Sequence, residues 1–360
     1  MKPGIYLERF LAPLRPHLSR AEVTDIWINR PGELWIETLG GGIERHTETA
    51  ITAQALERLA RQVASTSHQG FNREHPLLSA SLPDGSRVQL IGPPATREGV
   101  ALAIRRHTMS DMSLASLGEG GLFEAVDAAQ RQREEAELQS LLDRGEYRDF
   151  LAEAVRRRKT ILLSGGTSSG KTTLLNALLK EIPLDERLIV IEDTPEILLG
   201  HPNAVGLIAA RGEQGEAKVD ADSLLQACLR MRPDRILLGE LRGAEAFAFL
   251  RAVNTGHPGS ITTIHADSAA GAIDQVAMLG LLHGARIDWD AMQAYIRQVI
   301  DVVVQLERSG RARRVTEIVY NRRADCGGYF PAASVSADAE AAAEKLVTAA
   351  GMVTGATVAS

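Results

Sequence analysis

Cysteine is nearly absent. Two thiols in 360 residues, Cys228 and Cys326, exclude a disulfide framework and offer no spaced set of zinc ligands, so the pair reads as free thiols of a reducing compartment. Aromatic residues make up only 4% of the chain, too few to favour a platform that stacks single-stranded bases. A basic excess is lacking as well. Forty Lys and Arg stand against 46 Asp and Glu, a net charge of −6, which argues against a dedicated duplex-DNA binder. There is no uncharged apolar run of about eighteen residues, so no membrane-spanning helix is expected. The opening Met-Lys-Pro-Gly reaches Glu8 and Arg9 without an apolar core, so no leader is expected and a bacterial-type cytoplasm is the default address.

What is present is ordinary globular material: 44% hydrophobic and 24% charged residues, enough to bury a core and to exclude wholesale disorder. The length suits roughly two domains of about 150 residues. Residues 1–117 read as a small α+β domain. Two strands flank the turn Asn29-Arg30-Pro31-Gly32, a helix carries Leu56, Leu59 and Val63 on one stripe, and a hairpin turns at Pro83-Asp84-Gly85. In Gly99–Arg106, alternation puts Val100, Leu102 and Ile104 on one face and Arg105 on the other, with Ala101 and Ala103. Residues 118–150 are charge-dense with sparse apolar anchors and read as a linker with exposed helices. Residues 151–330 alternate helical stretches with short apolar runs, Thr160–Leu163, Leu188–Ile191, Ile236–Leu238, Ile261–Ile264 and Val302–Leu306. Such runs suit a mainly parallel sheet covered on both faces, an α/β architecture. Residues 331–360, rich in Ala, Thr and Ser, are expected to be disordered. Trp27, Trp35 and Trp289 are expected in cores.

The strongest local signal is Gly165-Gly166-Thr167-Ser168-Ser169-Gly170-Lys171-Thr172, a G-x4-G-K-T match placed between an apolar run and a helical stripe of Leu174, Leu175, Leu178, Leu179 and Ile182. Glycines let successive N–H groups turn inward around phosphate oxygens, and the helix start adds its partial positive charge. Lys171 should reach the β- and γ-phosphates of ATP, and the Thr172 hydroxyl should ligate Mg²⁺. Thr173 is placed to donate to an α-phosphate oxygen.

Hydrolysis needs more than a cradle. Arg235–Glu240 is an apolar strand ending in a carboxylate, at the sheet edge where open α/β sheets bind ligands. Glu240 is the candidate for orienting water, with a share in holding Mg²⁺ through water. Glu192 and Asp193 also follow an apolar run directly. Glu192 is a candidate for placing metal or water, and Asp193 for either that or a helix cap. His265, at the exit of Ile261–Ile264, is a candidate for contact with the γ-phosphate or its water. His257 and His265 lack the short helical spacing of a zinc pair. The run Arg156-Arg157-Arg158-Lys159 reads as a solvated helix end or as a surface for acidic lipids or a neighbouring subunit. Arg211 and Arg242 are open to an ion-pair or an arginine-finger role.

In this order, SGGTSSGKTT, IVIEDTPEI, CLRMRPDRILLGELRGAEAF and NTGHPGSITTIHA resemble the Walker A, Asp box, Walker B and His box of the bacterial secretion ATPase superfamily. Within it they resemble the VirB-type traffic ATPases of type IV secretion systems. EVTDIWINRPGELWIE and ALAIRRHTMSDMSLASL are more loosely similar to that subgroup. The resemblance implies a hexameric ring of two-domain subunits, each with a RecA-like P-loop domain. Nucleotide would lie between the two domains, and Arg105 or Arg106 would reach it from the N-terminal one. It also implies a Mg²⁺-dependent ATPase at the cytoplasmic face of the inner membrane. Such an ATPase would work with other inner-membrane and cytoplasmic components to move protein or DNA, with peripheral membrane contact. Gly239 departs from the subgroup, which has Ala there, and agrees with pilus and tight-adherence ATPases. A pilus, tight-adherence or type II secretion motor and a RecA-like nucleic-acid motor are therefore the alternatives.

Overall fold

A computed structural model describes residues 5–106, 113–119, 128–210, 215–283 and 287–321. The C-terminal tail, Cys326 and Arg211 lie outside the described residues.

The N-terminal part begins with α1 (Ile5–Leu11) and a short α2 (Arg15–Leu18), followed by β1 (Val23–Ile28), β2 (Glu33–Thr38), β3 (Ile43–Thr47), α3 (Ala53–Thr66), β4 (Leu77–Ser81), β5 (Arg87–Ile91) and β6 (Ala101–Arg105). The strands form one sheet in the order β3-β2-β1-β6-β5-β4, every neighbour antiparallel. Alternation sets its two faces. Ile26, Ile28, Ile36, Leu102 and Ile104 pack under α1 and α3, where Leu7, Leu56, Leu59 and Val63 are buried. Trp27, Trp35, Ala101 and Ala103 face the opposite way and join the core of the C-terminal part. The Thr52 hydroxyl caps α3 by accepting from the Ala55 N–H at 3.1 Å.

The C-terminal part runs through α4 (Leu114–Glu119), α5 (Ala128–Asp143), α6 (Tyr147–Arg156), β7 (Ile161–Gly165), α7 (Lys171–Leu178), β8 (Leu188–Glu192), β9 (Ala204–Ile208), α8 (Ala221–Cys228), β10 (Arg235–Leu238), α9 (Glu245–Asn254), β11 (Ile261–Ile264), α10 (Ala269–Leu282), α11 (Trp289–Val299), β12 (Val302–Ser309) and β13 (Ala312–Tyr320). Its sheet has the order β13-β12-β7-β11-β10-β8-β9. All pairs from β12 to β9 are parallel, and β13 returns antiparallel along β12. The five expected runs are all strands of this sheet. Sequence reading missed β3, β9 and β13. β13 is largely exposed, so burial gave it no apolar signature.

Two expectations need correction, and a third gains detail. Within the stretch read as an exposed linker, Leu138 and Phe150 are completely buried against Leu163, Leu175 and Val304, because α5 and α6 cover one face of the sheet. The basic run is partly solvated, with Arg156 exposed and the next three residues half-buried, and each of its side chains has an acidic partner. Arg156 pairs with Glu181, Arg157 with Glu137 and Glu153, Arg158 with Glu186 and Asp234, and Lys159 with Glu135. Trp289 begins α11 and is 41% exposed, unlike the buried Trp27 and Trp35.

The two sheets meet at a buried guanidinium. Arg187, just before β8, has no exposed surface and lies over the Trp27 ring at 4.7 Å. Its Nη1 donates to Asn29 Oδ1 and Asn203 Oδ1, each at 2.7 Å, and its Nε donates to the Met231 carbonyl at 2.9 Å. Burial pushes its pKa down to about 9, against the pull of nearby Asp234 and Asp25. The Arg187→Ala protein would leave these acceptors unpaired around a cavity. It is expected to lose about 3 kcal/mol in a denaturant titration, with the Trp27 fluorescence environment changing in the same transition.

Candidate nucleotide site

The loop between β7 and α7 takes its shape from contacts that only glycine permits. A Cβ on Gly165 would lie 2.4 Å from the Leu306 carbonyl oxygen on β12 and 2.6 Å from Ser169 Oγ. Gly170 precedes α7 in the left-handed region, with φ 102°. Gly166, Thr167 and Ser168 are exposed at the mouth while Ser169 is buried. Ser169 Oγ lacks a hydrogen-bond partner among the described residues. A cradle that a Cβ would fill, an unsatisfied buried hydroxyl and a helix start with free N–H groups fit the phosphates of a nucleotide.

Lys171 closes the loop from within. It is only 9% exposed, and its Nζ donates to the Gly165 carbonyl at 2.7 Å and the Gly166 carbonyl at 3.1 Å. The third neighbour of Nζ is His265 Nδ1 at 3.3 Å. An ammonium has only donors, so Nδ1 accepts and Nε2 carries the ring hydrogen. That hydrogen faces Glu240 Oε1, with Nε2 and Oε1 3.1 Å apart. The other carboxylate oxygen of Glu240 accepts from Arg242, whose Nη1 reaches Asp193 Oδ2 at 2.8 Å. Lys171, His265, Glu240, Arg242 and Asp193 thus form one continuous chain along the C-terminal ends of β7, β11, β10 and β8. Burial lowers the Lys171 pKa from its ordinary value, against the pull of Glu240 and with a smaller push from Arg242.

A second set of contacts descends from the segment after β8. The Thr172 hydroxyl donates to Glu196 Oε2 at 3.2 Å. Glu192 itself turns elsewhere. Its Oε2 accepts from the N–H groups of Glu196 at 2.9 Å and Ile197 at 2.8 Å, and Oε1 pairs with Arg97 from the N-terminal part. Arg97 also donates to the Ile197 carbonyl at 2.8 Å.

Comparison with known proteins identifies the family. The family model described as Type II/IV secretion system protein matches residues 9–339. The type IV secretion system protein VirB11 of Bartonella henselae is 37% identical over 327 residues, covering 86% of this chain and 92% of that protein. The type IV secretion system protein PtlH of Bordetella pertussis is 42% identical over 322 residues, covering 86% and 94%. The crystal structure of the Brucella suis VirB11 ATPase in complex with sulphate superposes with a TM-score of 0.81 at 35% identity, covering 89% of this chain and 95% of that one. The chain belongs to the type II/IV secretion system protein family, in its VirB-type branch. It has the expected α/β fold, a RecA-like P-loop domain preceded by a smaller α+β domain.

Of the residues singled out in this secretion ATPase, Gly165–Thr173, His265 and Glu240 converge on one edge of the sheet. Glu192 is adjacent but fully engaged by Arg97 and two backbone N–H groups, a bracing position rather than an open carboxylate. Arg105 is not brought to the loop of its own chain. It stands opposite Asp25 and Arg87 in register, and it lines a separate cleft with Arg230 and Arg232. Arg106 donates to the carbonyls of Arg20 and Val23 and so fastens β6 to the chain entering β1. Gly239, the departure from the subgroup, has no steric consequence. A Cβ there would meet Glu192 Cβ and the Ile191 carbonyl at 3.5 Å, an ordinary contact. Sequence reading missed Arg97 and Glu196. Glu196 had a faint signal as a further acid after an apolar run, whereas Arg97 had none.

The Gly165→Ala protein must relieve two clashes at once, with Ser169 and with the β12 backbone. It is expected to lose roughly 1–3 kcal/mol in thermal or chemical unfolding and to lose nucleotide binding in a fluorescent-nucleotide titration.

Proposed function

We propose that the loop binds the phosphates of Mg·ATP and that the Lys171–His265–Glu240 chain carries out hydrolysis of its terminal anhydride bond. The observation that carries this reading is the arrangement of those three side chains. A buried cation in the loop touches the ring nitrogen of His265, whose other nitrogen points its hydrogen at the strand-end carboxylate.

Lys171 is held by carbonyls that it can exchange for β- and γ-phosphate oxygens. This neutralises charge in a place where water competes poorly. Glu240 orients and deprotonates the attacking water. Its two oxygens are fixed by His265 and Arg242, so the carboxylate is preorganised rather than mobile. The residues for Mg²⁺ fit a phosphate-bound hard cation that keeps several waters: the Thr172 hydroxyl with Glu196 beside it, and Glu240 through water. When bound, Mg²⁺ supplies neutralisation of the phosphate oxygens.

Domain movement follows from the contacts of Glu192. Arg97 of the N-terminal domain holds Glu192, Glu192 holds the N–H of Glu196, and Glu196 meets Thr172 at the start of α7. A change at the phosphate end thereby reaches the N-terminal domain through three contacts. Binding of triphosphate and diphosphate favours different arrangements of this chain. The subunits act in a ring, as a hexamer, within a type IV secretion or conjugative machine that moves protein or DNA. They work with its inner-membrane and cytoplasmic components at the cytoplasmic face of the inner membrane. The names of the relatives support that setting. No helix among the described residues is long and apolar enough to cross a membrane, so the contact proposed here is peripheral.

The test is phosphate release by the purified full chain. The Glu240→Gln protein should bind ATP as the unmodified protein does but turn over about a hundredfold more slowly or worse, and a chelator should stop release until Mg²⁺ is restored. Normal turnover by Glu240→Gln, or release that continues in chelator, would refute the corresponding part of the proposal.

A pH effect also follows. Lys171 has a depressed pKa in the nucleotide-free site, and phosphate charge raises it again. Between these two values the free site has lost part of its proton and the bound site regains it. ATP binding should therefore take up protons at alkaline pH, most strongly between the free-site and bound-site values. Calorimetry in two buffers of different ionisation enthalpy reads this directly, and the Lys171→Met protein should show none of it.

A further inference from the structure

The hairpin of β12 and β13 lies against the phosphate loop on the side away from Glu240. In the sheet order β13-β12-β7-β11-β10-β8, the loop leaves β7. His265 follows β11, Glu240 follows β10 and Glu196 follows β8, so the groups for the reacting end all lie to one side. β12 is the neighbour on the other side, and Leu306 on it is paired with Gly165.

Beyond Leu306 the hairpin carries four arginines, Arg308, Arg311, Arg313 and Arg314, against one acid, Glu307, which stands opposite Arg314. Arg308 and Arg313 stand directly opposite each other in the ladder, a pairing of like charges that costs stability unless an anion lies between or beside them. Arg313 crosses onto the loop. Its Nε donates to the Ser168 carbonyl at 3.2 Å, and its Cδ would be 3.1 Å from a Cβ on Gly170. The terminal Nη atoms of Arg313 have no hydrogen-bond or ion-pair partner among the described residues. Arg308 uses its Nε on the Gly310 carbonyl at 3.1 Å. A fork of donors is therefore fixed at its stem beside α7 and open at its tip.

We infer that Arg313 is a nucleotide-binding residue that holds the α-phosphate and ribose end of ATP, the part that does not react. This rests on the function proposed above. If the terminal phosphate sits toward Lys171, His265 and Glu240, the rest of the nucleotide has to leave the loop toward β12 and β13, and Arg313 meets it there. Guanidinium suits that task, since it gives two parallel donors to phosphate oxygens and a flat cation to the nucleoside. A contact made equally to substrate, transition state and product alters affinity and leaves the chemical step alone.

The experiment compares Arg313→Ala, Arg313→Lys and Lys171→Ala in the full chain by titration with fluorescent ATP and ADP analogues and by steady-state phosphate release. Arg313→Ala should weaken ATP and ADP alike by about tenfold, raise KM by a similar factor and leave kcat at saturation within about twofold. Arg313→Lys should recover part of the affinity. The melting temperature without nucleotide should not fall, because the side chain is exposed. Unchanged affinity in Arg313→Ala while Lys171→Ala binds nothing would overturn this inference alone. So would a loss confined to ATP, which would put the contact at the terminal phosphate. Wild-type binding by Lys171→Ala would overturn the loop as the nucleotide site, and this inference with it.

Discussion

Lys171 carries its ammonium to a place where burial penalises charge, and the groups that make the charge tolerable also define the site. Two carbonyls of the loop accept from it, His265 accepts on a third side, and the carboxylate of Glu240 stands one residue further on. Each depends on a different strand of the parallel sheet. The loop leaves β7, His265 follows β11 and Glu240 follows β10, so the parallel register of these three strands sets the spacing of the chain. An antiparallel arrangement would send one of these ends to the opposite edge. The apolar runs that fill the sheet therefore serve the site indirectly, by keeping three strand ends level.

Around that centre, among several contacts between the two domains, two arginines act by different means. Arg187 is structural. It lies within the seam, stacked on Trp27 and hydrogen-bonded to Asn29, Asn203 and a carbonyl, so each sheet supplies acceptors to one buried cation. Arg97 reaches further. By holding Glu192 and the Ile197 carbonyl it grips the segment that places Glu196 against Thr172. A rigid seam beside a polar link to the loop allows movement at one place to be felt at another. The four acid-paired side chains of Arg156–Lys159 belong to neither connection. They fasten α6 and the entrance to β7 to acids on surrounding elements.

Much of the fold was readable because burial leaves a pattern. Five strands of the parallel sheet appeared as short apolar runs, and the alternation of Ile26, Trp27 and Ile28 marks a sheet covered on both faces. β13 escaped because it is exposed along most of its length, and exposure imposes no apolar spacing. The linker reading failed for a related reason. Leu138 and Phe150 are isolated among charges, and only packing shows that single anchors are enough to seat α5 and α6. Trp289 misled in the other direction, since size alone does not say which side of a helix start is covered.

The sequence by itself determined the loop. From Gly165 to Thr172 the spacing is covalent, so the glycines, the lysine and the hydroxyl stay together however the rest of the chain folds. It also marked Glu240 and His265 as residues at strand ends, because a strand's end is a local property. Which partners those residues meet was decided only by the tertiary structure. Arg97 and Ile197, Thr172 and Glu196, and Arg313 and Ser168 are brought together by sheet order and domain packing across long stretches of chain. A one-dimensional pattern carries no trace of such contacts, because their distance is fixed by the packing of many apolar residues and not by the identity of the polar residues that meet.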